Sequence, residues 1–159
     1  MYDQLVKHHD PSTGSYGDCY RTCIANYLGL HPSEVPGPDY EGDPNKPVLE
    51  WLHRRGLSIA RFIIPASSIK EANEHLSRGS IQGMYIMSGK TQLGGVCHSC
   101  LYERGKVVHD PIGGDGIHSL LWDTSIGGYV EVKTVVLQPA GTWTKIQKEN
   151  LKTLVEKQV

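Results

Sequence analysis

The chain has no excess of charge of one sign, no long apolar run and little cysteine. Sixteen Lys and Arg stand against seventeen Asp and Glu, and no block of five or more like charges occurs. That balance disfavours a nucleic-acid binder driven by phosphate neutralisation. Apolar runs stop at four or five residues, and Met1-Tyr2-Asp3-Gln4 opens without a basic and apolar leader. The expectation is therefore no membrane span, no signal peptide and a cytoplasmic protein. At 159 residues, the chain can bury roughly two-thirds of its unfolded surface, so folding requires neither disulfides nor a structural metal. In a reducing compartment Cys19, Cys23, Cys97 and Cys100 read as chemistry, metal ligands or core rather than as disulfides.

What is present is a helical half followed by a strand-rich half. Tyr20, Cys23, Ile24, Tyr27 and Leu28 recur at helical spacing, which predicts a helix over 19–28 with Asp18 as cap and Gly29 as stop. Four prolines between 31 and 46 predict a surface loop, broken at most by a turn at Ser33–Val35. Pro47 and Gly56 bracket a second helix. Leu57–Ile64 reads as an extended segment ended by Pro65. Ser68 and Glu71 form a capping box for a third helix running to about Ser77. Strand-like runs then follow at Ile81–Met87, Gly95–Tyr102, Lys106–Asp110 and Tyr129–Leu137. This order predicts an α+β fold with N-terminal helices packed on an antiparallel sheet. Residues 1–140 form the expected domain, and 141–159 an amphipathic helix or tail able to recruit a protein partner.

The segment Tyr16-Gly17-Asp18-Cys19 delivers a thiol to the first turn of a helix. Unpaired amides and the helix dipole there stabilise a thiolate and can hold a developing oxyanion. Asp18 opposes this unless its carboxylate is tied up, and the sequence leaves the balance open. Cys23, one turn on, belongs to the apolar stripe.

A thiol nucleophile needs a base. His98 is the best placed, with Asp110 twelve residues later across a hairpin centred on Glu103-Arg104-Gly105. A two-residue turn at Arg104-Gly105 would pair Asp110 with Ser99 and point it away from His98. A three-residue loop with Gly105 as a left-handed bulge residue would set His98 opposite Asp110, and the glycine favours this register. Asp110 could also cap a turn with Pro111. His109 and His118 are weaker candidates for the base. The zinc alternative, Cys19-x3-Cys23 with Cys97-x2-Cys100, is a poor pattern, because residues three apart on a strand face opposite ways.

The Gly-Asp-Cys helix start, with His98 on a strand and a polar Asp110 beyond, resembles the papain-like superfamily of thiol hydrolases. Within it the likeness is to the compact NlpC/P60-type branch and related small bacterial and phage proteins. Tyr20-Arg21 stands where that branch usually has Ser-Gly. The resemblance implies Cys19 as nucleophile, His98 as general base and acid, and Asp110 as third member. Ser15, Tyr16 and Asp18 would lie at the oxyanion site or cleft. It implies hydrolysis of an amide or ester in a peptide-like substrate, without cofactor or metal. The alternatives are an acyltransferase with the same triad, or a non-catalytic protein that binds zinc or a partner.

Overall fold

The computed structural model describes residues 1–5, 17–90, 97–112 and 129–138. It is an α+β protein of short helices and an antiparallel sheet. The elements are α1 (Cys19–Tyr27), α2 (Lys46–His53), β1 (Leu57–Pro65), α3 (Ile69–His75), β2 (Met84–Lys90), β3 (Cys97–Glu103), β4 (Lys106–His109) and β5 (Tyr129–Leu137). The chain divides into two compact units: 1–60 with 135–159, and 61–134. The candidate C-terminal helix lies outside the described residues.

In the first unit, α1 ends as the glycine predicts. Gly29 adopts φ +71°, its N–H donates to Asn26 O, and Leu30 N–H donates to Ala25 O. These two bonds close a Schellman motif that satisfies carbonyls left open by the last turn. The start differs from expectation. Asp18 holds the cap position, yet its side chain bonds no amide of the helix; the carboxylate turns instead to the Arg21 guanidinium. Cys23, Ile24 and Ala25 are fully buried. Asn26 grips the N-terminal segment in both directions, accepting from Tyr2 N at 2.6 Å and donating to Tyr2 O at 2.7 Å. The proline-rich stretch holds one 3-10 turn, Pro32–Glu34. His31 Nδ1 accepts from Ser33 N–H, while Glu34 accepts from His31 N–H. Helix α2 carries Pro47 in its first turn and buries Val48 and Leu52.

In the second unit, Ser68 Oγ accepts from Glu71 N–H at 3.1 Å, the forward half of the expected capping box. The return half goes one residue further back: Glu71 accepts from both the N–H and the hydroxyl of Ser67. The helix gives way at Leu76–Ser80 to a π-helical turn. The sheet order is β1-β5-β2-β3-β4, so the extended segment after α2 is a fifth strand of the sheet. Strand β2 begins at Met84, three residues later than the expected run, beyond Gly83 at φ +81°.

Strands β2 and β3 are antiparallel, with Met87 opposite Cys100 and Tyr85 opposite Tyr102. Because side chains alternate between faces, these four residues share one face. They form a core with Ile69, Ala72 and Leu76 from the α3 region and Val130 and Val132 from β5. The Tyr85 and Tyr102 rings stack at 6.0 Å. Burial pushes the Tyr85 phenol up from its usual value, although the Gly105 N–H donated to its oxygen acts the other way. The opposite face carries Ile86 and Leu101, both fully buried, and a Ser88–Ser99 hydroxyl pair at 2.8 Å. No helix among the described residues is long and apolar enough to cross a membrane.

Candidate active site

Cys19 is the first residue of α1 and is half-buried. The question raised by its acidic neighbour has a local answer. Asp18 is buried, and the Arg21 guanidinium on the same turn pairs with its carboxylate. Arg21 also donates to Val35 O at 3.4 Å, which ties the loop after the 3-10 turn to the same cation. Since Asp18 does not cap the helix, the first-turn amides are not spent on its side chain. Ser15 and Tyr16, the other cleft candidates, lie outside the described residues, as do His118 and the glycines from Gly113 onward.

His98 and Asp110 belong to the second unit, and there they meet. His98 Nε2 lies 2.7 Å from Asp110 Oδ1, with 5% and 3% of the side chains exposed. The same Oδ1 accepts from Ile112 N–H at 3.1 Å. Asp110 thus both orients the imidazole and closes a turn over Pro111, the two roles that sequence reasoning treated as alternatives. An ionised carboxylate only accepts. Facing an ionised Asp110, His98 donates Nε2–H and keeps its basic lone pair on Nδ1.

The route to this pair corrects the expected hairpin. Glu103 pairs with Lys106, and Arg104 and Gly105 have φ +47° and +78°, so the connection is the two-residue turn with two left-handed positions rather than the three-residue loop. On that register alone Asp110 would fall opposite Ser99, on the wrong face. A bulge between Leu101 and Tyr102 repairs it. Tyr102 pairs with Val107 but Leu101 pairs with His109, leaving Val108 as the extra residue of β4. Continued by one step, the shifted register sets Asp110 opposite Cys100, on the face that His98 shares. His109, opposite Leu101, points away from His98, as expected.

Two neighbours on that face were not predicted. Gly89 stands opposite His98 on β2 and places no side chain beside the ring. Cys100, fully buried, brings its Sγ into the cluster: one donor atom each from His98, Cys100 and Asp110 lie within 4.8 Å of one another. The only sequence signal for this was the His-x-Cys spacing, which puts two ligand-type side chains on one face of a strand.

Compared with known proteins, the chain matches no family model, no curated protein and no solved structure.

Proposed function

We propose that the protein is a thiol hydrolase of the papain-like kind, in which Cys19 attacks an amide or ester carbonyl and His98, oriented by Asp110, moves the protons. The observation that carries this reading is the buried His98–Asp110 pair at 2.7 Å. A histidine so held keeps one tautomer and one orientation, which is what a general base requires. The partly exposed thiol at the head of α1 supports it, as does an Asp18 carboxylate occupied by Arg21.

In the first step the Cys19 sulfur forms a bond to the carbonyl carbon, and the first-turn amides of α1 stabilise the oxyanion. Collapse of the tetrahedral species breaks the bond to the leaving amine or alcohol. That group departs with the proton that Nδ1 of His98 took from the thiol. A water molecule, deprotonated by the same nitrogen, then cleaves the thioester to give the acid and the free thiol. The substrate class is a peptide or other amide or ester, and a reducing cytoplasm suits a mechanism that needs an unoxidised cysteine.

Exposure alone favours Cys19 over the buried Cys23 and Cys100 in any labelling, so the decisive readout is dependence on the base. An activated acyl ester should acylate Cys19, and His98→Gln should slow that acylation by about 10²-fold or more, with the far-UV circular dichroism unchanged. Equal acylation rates in the two proteins would overturn the proposal.

A further inference from the structure

We propose that His98, Cys100 and Asp110 form a binding site for a single divalent transition-metal ion of the zinc type. The inference requires nothing of Cys19, but it draws on the same His98–Asp110 pair as the hydrolase reading. The geometry comes from the hairpin: His98 and Cys100 are two apart on β3 and share a face, and the Val108 bulge turns Asp110 onto the same face. Their donor atoms fall within 4.8 Å of one another. Around a tetrahedral zinc with ligands at about 2.0–2.3 Å, donor atoms sit roughly 3–4 Å apart. No donor pair in the cluster is more than 4.8 Å apart, and the 2.7 Å His98–Asp110 hydrogen bond would have to open to admit the ion between its two atoms.

The donor set selects the ion. One imidazole, one thiolate and one carboxylate suit a borderline cation, whereas calcium and magnesium require cages of six or more oxygens or several retained waters. Three protein ligands leave a fourth position for water or a ligand. Charge favours occupancy as well: a thiolate and a carboxylate together carry the two negative charges that a divalent ion cancels, and neutralised charge is the form a buried site tolerates. All three side chains are at least nine-tenths buried, so the ion would be enclosed by protein. A metal held here engages the imidazole and the Asp110 carboxylate, so occupancy and general-base action exclude each other.

The test uses the full-length, metal-stripped, reduced protein titrated with Co2+ as a spectroscopic probe. One equivalent should bind, with a thiolate-to-cobalt charge-transfer band and the intense visible bands of low-coordinate cobalt, and Zn2+ should bleach both. The charge-transfer band should vanish in Cys100→Ser and persist in Cys19→Ser and Cys97→Ser. His98→Gln, the second variant should Cys100→Ser fail to fold, should weaken Co2+ binding about tenfold or more, at least the loss usual for a disturbed metal shell. Absence of stoichiometric binding to the unsubstituted protein overturns the proposal. So does a thiolate band that survives Cys100→Ser or is lost in Cys19→Ser, or unchanged affinity in His98→Gln. Acylation of Cys19 by the metal-free protein is read separately, so failure of the hydrolase reading does not mimic failure of the metal site.

Discussion

Among the described residues two carboxylates are buried, Asp18 and Asp110, and they are satisfied in opposite ways. Asp18 finds its cation three residues on, along the same turn of α1. Asp110 finds His98 twelve residues back, and only because a turn and a bulge set the register between two strands. The first pairing is local: it forms whenever the helix forms. The second is a property of the hairpin, and one residue more or fewer in β4 removes it. A buried charge without a partner is costly wherever it occurs, so losing either partner of either pair should destabilise the fold. Only the second couples the fold's registry to the candidate chemistry.

The sharpest way to break the comparison is deletion of Val108. Without the extra residue Asp110 should revert to the face opposite His98, leaving both buried groups without each other. We expect a loss of about 3–5 kcal/mol in urea unfolding, together with loss of Cys19 acylation. Retained stability, with the His98 imidazole NMR signals unchanged, would show that the bulge does not carry the pairing. On the local side, Arg21→Ala strips Asp18 of its guanidinium. Arg21 is 13% exposed, so some solvent reaches the pair, and the expected cost is about 2–3 kcal/mol, at or below the low end for a broken buried pair. Because the damage stays within one helical turn, the His98 signals should not move.

Gly105→Ala probes the turn itself. The glycine has φ +78°, and an added Cβ would stand 2.5 Å from the Asn73 carbonyl oxygen, a backbone atom that cannot swing aside. Strain plus contact should cost about 1–3 kcal/mol, read as a lowered midpoint in chemical denaturation. The smallest effect belongs to an exposed acid. Hydrogen bonds from the Ser67 hydroxyl, and then the Ser67 N–H, hold the Glu71 carboxyl below its ordinary value of 4.5. A folded-state pKa below the unfolded one adds stability at pH values above the ordinary one and loses it as pH falls through the depressed value. In Ser67→Ala and Glu71→Gln the acid-side decline in stability should therefore be slightly shallower than in the parent, as measured by unfolding below pH 5. An identical acid profile would remove Glu71 from the account.

The locally encoded parts of the fold were legible. Gly29, Gly56 and the Ser68 cap mark helix boundaries through chemistry that acts within a few residues. The strands after β1 were legible as apolar runs, but the place of β1 in the sheet was not, because neighbour order depends on contacts far apart in sequence. The hairpin is the instructive case. Gly105 suits either loop, as the last residue of a three-residue connection or the second of a two-residue turn. The deciding fact is Arg104 at φ +47°, a left-handed residue with no glycine to announce it. Nothing in Val107-Val108 signals a bulge. His98 and Asp110 were therefore paired for a reason the structure corrects, and Cys100, which enters the cluster only through the shifted register, went unnoticed as their neighbour.

The Val108 bulge also makes the hairpin sensitive to parity. Lengthening or shortening it by one residue between His98 and Asp110 swaps which side of the sheet the acid occupies, whereas a change of two restores it. Length variation in this segment should thus be tolerated in even steps and penalised in odd ones, a rule that a library of insertions at the tip could read out directly.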